Sequence, residues 1–355
     1  MKVCYFSTYY FKDYVRSNVL IEGLKENGVE VIKCVESGKN PLRYLRALMR
    51  FKKIEKDADV IIVGFLGHEI LPFVRLLTKK PLVFDAFISI YESLCFDMKI
   101  IRPDSFLGKI VFWFEKKCIE WPQKILLDTN EQIKYFTSTF GTDGKKFHRL
   151  FVGADKIFFP QNKNNSGKFL VLWYGSYIPL HGAEYIVRAA LKLKDYPNIR
   201  FKLIGDGRTF EAAKKISESN RLENIEFAKR VEYELLPQEI ANCNVFLGGH
   251  FGTSHKSKSV ISGKTFQAMA MKAPLIVGNN PATKELFSDK KNCLMVDHGS
   301  GEKIAQAVLL LKNDKALSDK IKKNAYRLFL KTAAPKVIGK ELKKILEGLH
   351  GPASV

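Results

Sequence analysis

Short apolar runs, each ending in a polar or glycine-bearing loop, recur along the whole chain and leave it few possible folds. In the first half they are Lys2 to Ser7, Val29 to Cys34, Asp59 to Gly64, Pro81 to Asp85 and Lys124 to Asp128. In the second half they are Leu170 to Tyr174, Phe201 to Ile204, Ile225 to Ala228, Val245 to Gly248, Leu275 to Val277 and Cys293 to Val296. Short runs without apolar/polar alternation are the mark of strands buried on both faces, as in a parallel sheet covered by helices. Helical segments lie between them, starting with Val15 to Asn27, which Gly28 closes as a C-cap. The fold class is therefore α/β, with doubly wound parallel sheets. At 355 residues the chain exceeds one ordinary core and suits two domains. The stretch Gly153 to Lys168, with its run Pro160-Gln-Asn-Lys-Asn-Asn-Ser-Gly167, has the composition of a linker between them.

In open sheets of this kind, ligands collect at the carboxyl ends of the strands. In the first half this singles out Tyr9, Arg16, His68, Asp85 and Asn130. In the second half the segment from Ser262 to Phe287 is the most informative: a helix that opens on Gly263, Lys264, Thr265 and Gln267, then an apolar strand, then a turn into a new helix. Unpaired N–H groups and the helix dipole at such a start favour a bound phosphate. Gly175-Ser176 ends a strand, and Pro179-Leu180-His181-Gly182 leads into the next helix. Gly205-Asp206-Gly207 is either a tight turn or a place where backbone approaches a ligand closely.

The segments SGKTFQAMAMKAPLIVGNNPATKELF, LWYGSYIPLHGAEYIVRAALKL, FKLIGDGRTFEAAKKI and NIEFAKRVEYELLPQEIANCNVFLGG, with the tail NAYRLFLKTAAPKVIGKELKKIL, occur in the order found in a known family. Together they resemble the retaining glycosyltransferases of family four (glycosyl transferases group 1), most closely over residues 165 to 350. The resemblance implies the GT-B fold: two Rossmann-like domains facing a central cleft. Residues 1–160 would bind the acceptor and 161–334 the nucleotide-sugar donor, with the helix 335–350 packing back on the first domain. It implies a donor site at Gly175, Ser176, His181, Gly205, Asp206, Gly207, Arg230, Val231, Lys258, Ser259, Gly263, Lys264, Thr265 and Gln267, the last placed for ribose hydroxyls. Two cations and two glutamates usual in the family are replaced here by Ser176, His181, Ser259 and Gln267. This describes either a variant site, in which Lys258 or Lys264 with Arg16 stabilises the leaving diphosphate, or a lost one. No metal and no other cofactor is expected.

On the acceptor side Asp85 is placed to orient or deprotonate the acceptor hydroxyl, to stabilise charge developing on the sugar, or to cap its strand. His68, and Glu92 with Asp97, are the other candidates. Phe87 stands where the family often has a histidine. Catalytic roles are thus expected for Asp85, Lys264, Arg16 and His68. A nucleotide-sugar epimerase and a non-catalytic GT-B partner subunit are the alternatives to a transferase.

The formal net charge of +21 calls for an anionic partner. Asn40 to Lys56 and Phe106 to Trp121 mix Leu, Phe, Met and Trp with Arg and Lys. Such helices either lie on an anionic membrane or pack as core helices with solvated cations. No nucleic-acid motif accompanies the charge. The six cysteines have no metal-ligand spacing, and because Met1 leads straight into a strand no signal peptide is expected. The expected location is cytoplasmic, peripheral on the inner face of the cell membrane, with a glycan or lipid-linked acceptor.

Overall fold

The computed structural model describes residues 1–9, 14–162 and 167–349. Residues 10–13 of the loop after the first strand, 163–166 of the expected linker and position 350 at the end of the expected last helix lie outside this set. The chain divides into two compact units. One is Met1–Asp155 together with the segment from Thr332, and the other is Lys156–Lys331.

Each unit is built on a six-stranded sheet in which every pairing is parallel. The first contains β1 (Lys2–Ser7), β2 (Glu30–Val35), β3 (Val60–Val63), β4 (Leu82–Phe87), β5 (Lys124–Leu127) and β6 (Phe147–Arg149), in the order β2-β1-β3-β4-β5-β6. The second contains β7 (Phe169–Tyr174), β8 (Ile199–Ile204), β9 (Ile225–Ala228), β10 (Val245–Gly249), β11 (Leu275–Gly278) and β12 (Leu294–Val296), in the order β12-β11-β10-β7-β8-β9. The sequence gives no hint of β6. It is an edge strand of three residues in which only Phe147 is buried, so it carries no apolar run.

Right-handed crossovers dictate where the helices go. From β2 the chain steps in one direction through β3, β4 and β5 to β6, so the intervening helices share one face of the first sheet. The core confirms it. Alternate strand residues Phe6, Val63, Phe84 and Leu127 pack with Phe51, Val74, Cys118 and Phe140, one from each of the helices Leu42–Ile54, Leu71–Leu77, Phe106–Glu120 and Asn130–Phe140. The single step back from β1 to β2 puts the helix Val15–Glu26 on the other face.

There it meets the helix Pro335–Glu347 with the backbones in direct contact. A Cβ on Gly23 would lie 2.3 Å from the Pro335 carbonyl oxygen, and one on Gly339 would lie 2.0 Å from Gly23. The Asn27 amide donates to the Lys336 carbonyl at 2.8 Å, and the Lys343 ammonium donates to the Asn27 carbonyl at 3.0 Å. Two helices this close have no room for a methyl group. Gly339→Val should therefore lower the unfolding free energy by about 1–3 kcal/mol, as overpacking does, while Gly348→Ala, whose Cβ meets nothing closer than 3.5 Å, should stay near wild type; urea denaturation distinguishes them.

Candidate active site

In the second sheet the chain runs from β7 outward to β8 and β9, then returns to the other side of β7 with β10 and continues to β11 and β12. The winding reverses between β7 and β10. A crevice outside the carboxyl ends of these two strands is where such a sheet takes ligands. Gly175 and Ser176 follow β7, and His250 follows β10.

The helix Gly263–Ala270 brings Lys264 into this crevice. The ammonium lies 4.8 Å from the centre of the Trp173 ring and has no hydrogen-bond partner among the described residues. A Cβ on Gly175 would stand 3.0 Å from Lys264 Nζ and 3.4 Å from His181 Nδ1, so glycine is needed there to admit both. His181 Nδ1 is hydrogen-bonded to the Ser176 carbonyl, and its ring stacks on that of His250 at 5.2 Å with the planes 5° apart. Burial pushes the Lys264 ammonium down to about 7. Burial, and then the Lys264 charge, holds His181 well below the usual imidazole value. Burial, and then His181 and Lys264, does the same to His250. A dianion placed here would recover favourable interactions with all three groups, because charges in a dry site interact more strongly than in water.

The other expected donor-site residues divide by environment. Gly205 and Gly207 serve close packing between loops: their Cβ atoms would fall 2.0 Å from the Gly175 carbonyl oxygen and 2.8 Å from the Tyr177 backbone. Asp206 and Arg230 are exposed and 3.9 Å apart. Val231 is half-buried beside them. Thr265 turns inward and donates to the Gly248 carbonyl at 3.3 Å. Gln267 is buried with its amide oxygen accepting from the Tyr174 hydroxyl and its amide nitrogen 3.5 Å from the Tyr233 hydroxyl, so it is held for structure and not presented to a ribose. Ser259 is buried and donates to the Lys256 carbonyl at 3.2 Å. Lys258 is exposed, and its charge acts on His298. The structure thus brings Gly175, Ser176, His181, Gly263 and Lys264 together. It adds Trp173 and His250, which the sequence reading passed over although His250 directly follows an apolar run and so meets the strand-end criterion.

In the first unit the expectations for Arg16, Asp85 and His68 need correction. Arg16 Nε donates to both carboxylate oxygens of Asp85 at 2.7 and 2.9 Å, and its Nη1 donates to the Leu150 carbonyl at 2.9 Å. Both side chains are fully buried. Asp85 is neutralised and shielded, so it is not a base for an acceptor hydroxyl. Arg16 is committed to it and is not available to a diphosphate. His68 is buried edge-on against Phe84, with Nε2 3.6 Å from Glu115. Glu115 in turn accepts from Ser89 and from the backbone of Ile90 and Tyr91. Glu92 and Asp97 are buried as well. These groups form the interior of the unit.

Two outcomes follow from the charges. Asp85→Asn leaves the Arg16 guanidinium buried without its counter-charge and should cost about 3–5 kcal/mol of stability in urea denaturation. Lys264 behaves in the opposite sense. Its folded pKa of about 7 lies below the unfolded value, so the unfolded chain binds the extra proton between the two and stability rises with pH through that window. Lys264→Met should therefore be more stable than wild type below about pH 7, by something on the order of 4–5 kcal/mol, with the advantage fading toward about pH 10; denaturation curves across that range test it.

Residues 155–328 match the family model described as Glycosyl transferases group 1. No curated protein matches the chain. Among solved structures, HepE of Anabaena in complex with UDP-glucose is similar with a TM-score of 0.73 at 13% identity, covering 98% of this chain and 100% of its own. A sucrose-phosphate synthase from Thermosynechococcus elongatus is similar with a TM-score of 0.73 at 13% identity over 99% of this chain and 100% of its own. A glycosyltransferase from Rickettsia africae gives 0.69 at 12% identity over 99% of both chains. The chain thus has the GT-B fold, and its Lys156–Lys331 unit belongs to the glycosyl transferases group 1.

Proposed function

We propose that the protein transfers a hexose-type sugar from a UDP- or GDP-sugar to a hydroxyl of a lipid-linked or cell-envelope glycan, with retention of configuration and without a metal. It would work as a peripheral enzyme on the cytoplasmic face of the membrane. The observation that carries the reading is the buried Lys264 ammonium, without a hydrogen-bond partner among the described residues, at the winding reversal of the second sheet. A diphosphate supplies the partner it lacks. The UDP-glucose in the HepE structure favours a uridine nucleotide among the donors.

In this mechanism Lys264 faces the diphosphate and takes up a proton as the anion arrives. His181 and His250 stand beside it as hydrogen-bonding groups. When the bond from the anomeric carbon to the diphosphate oxygen breaks, negative charge grows on the leaving group. A preorganised, desolvated cation stabilises that charge more than the ground state, which is the main requirement of such chemistry. Arg16 and Asp85 have no part in it.

A second reading, a partner subunit that binds without turnover, is favoured by Ser259 and Gln267, both turned into the interior where the family uses carboxylates. Thermal denaturation with UDP-, GDP-, ADP-, CMP- and dTDP-sugars, followed by assay of released nucleotide, decides between them. One nucleotide class should stabilise the chain by about 2.7 kcal/mol at a concentration about one hundred times Kd. Its Kd should rise about tenfold per pH unit above about 7, because binding takes up one proton. Lys264→Met should abolish the effect. Stabilisation without release supports the partner subunit, and no stabilisation by any donor overturns both readings.

A further inference from the structure

The helical layer on the first sheet exposes large apolar side chains on its outer side. Because crossover helices run antiparallel to parallel strands, the N-termini of the helices Leu42–Ile54, Leu71–Leu77 and Phe106–Glu120 all lie along the carboxyl edge of that sheet. Leu42 and Leu45, Phe73, and Phe106 and Leu107 stand in those first turns, each more than half exposed, with Phe106 at 78%. Trp113 follows two turns along its helix at 61%. Single exposed apolar residues are ordinary, but a row across three adjacent helices marks an interaction surface.

Cations outnumber carboxylates around this row, although Glu36 lies 3.5 Å from Arg46 and 3.8 Å from Arg50 and Asp104 pairs with Arg102. The helix Leu42–Ile54 carries Arg43, Arg46, Arg50, Lys52 and Lys53 and no carboxylate. Of the two glutamates in Phe106–Glu120, Glu115 is fully buried and Glu120 is held by Lys117 at 2.6 Å, while Lys109 and Lys116 add two further cations to that helix, acting on Asp104 and Glu120. Large apolar groups flanked by cations match the acyl boundary and phosphate headgroups of an anionic bilayer. No helix among the described residues is long and apolar enough to cross a membrane, so the fit is to one leaflet.

We infer that this rim of the Met1–Asp155 unit seats the protein on an anionic bilayer, with Phe106 and Leu107 inserted and Trp113 at headgroup depth. The inference rests on the proposed reaction only in its consequence: a lipid-anchored acceptor would then rise from the bilayer at the carboxyl edge of the first sheet, the edge at which such sheets bind ligands.

The full chain at low salt should sediment with vesicles of phosphatidylcholine and phosphatidylglycerol but not with phosphatidylcholine alone, and high salt should release it. Trp173 is fully buried and Trp121 partly so, and a blue shift with quenching by brominated acyl chains should disappear in Trp113→Phe. The double variant Phe106→Ser, Leu107→Ser should bind anionic vesicles at least about tenfold more weakly, whereas Leu330→Ser in the other unit should bind as wild type does. Absence of vesicle binding, binding unchanged in the double variant, or binding without a Trp113 signal each overturns the inference. Self-association that the double variant abolishes, without vesicle binding, would assign the face to a second copy of the chain instead. Donor stabilisation measured on the same proteins separates the two proposals: lost docking with intact donor binding defeats the bilayer seat and the peripheral location but leaves the transfer reaction standing, and docking without donor binding defeats the transferase reading alone.

Discussion

A parallel strand cannot leave a face open to water without exposing apolar surface, and it cannot return by a hairpin. Each pair therefore needs a helix that crosses back over the sheet. That constraint accounts for most of this molecule. It places four helices on one face of the first sheet, and on the other face the Val15–Glu26 and Pro335–Glu347 helices, whose contact tightens until Gly23 and Gly339 touch. It also gathers all strand carboxyl ends of a sheet along one edge. In the second sheet the reversal between β7 and β10 opens a crevice at that edge, and the elements there are held together by closely packed glycine backbones. The ligand crevice is a by-product of winding, and chemistry is added to it by the few residues that happen to end a strand or begin a helix.

How much of this the amino-acid order reveals depends on whether the signal is local. The buried strands are legible because an unbroken run such as Val60–Val63 has no other use in a chain of this composition. The helix opening on Lys264 is legible because glycine, cation and hydroxyl residues precede an apolar stretch. What fails is the orientation of single polar side chains. Arg16 and Asp85 both lie near the carboxyl edge of the first sheet, and nothing in the sequence says that they face each other inside it. Gln267 has the reach for a ribose, but Tyr174 and Tyr233, far away in sequence, claim its amide. Position along a strand can be read from periodicity; the choice between a ligand and an interior partner is made by residues brought in from other strands.

Two of the buried cations, Arg16 and Lys264, show a difference. Arg16 enters the interior with a bidentate carboxylate and a backbone carbonyl, so its charge is balanced and its geometry fixed. A guanidinium suits that task because its planar fork matches a carboxylate and it does not shed its proton. Lys264 enters with only an aromatic face beneath it, and burial lowers its proton affinity to near neutrality. An ammonium can tolerate this because it can become neutral. Arginine thus stands at position 16, where the charge is permanent and internally matched, and lysine at position 264, where no match is found among the described residues.

That asymmetry bears on how the proposed reaction would be driven. With Lys264 near its midpoint and His181 and His250 kept neutral, the site carries less charge than a cluster of permanent cations would, buried Lys256 being the further cation that acts on both rings. Charge appears when a phosphate anion arrives and raises the lysine's proton affinity again, through the same short-range electrostatics that had been unfavourable. Further negative charge on the leaving diphosphate strengthens the interaction as the sugar departs, which places the gain in the transition state and not in the bound substrate. An arginine at position 264 would bind the ground state through a permanent charge and would meet the Trp173 ring and the Gly175 backbone with a larger, planar head. The small, titratable group is therefore the one that fits beside the Trp173 ring and the Gly175 backbone.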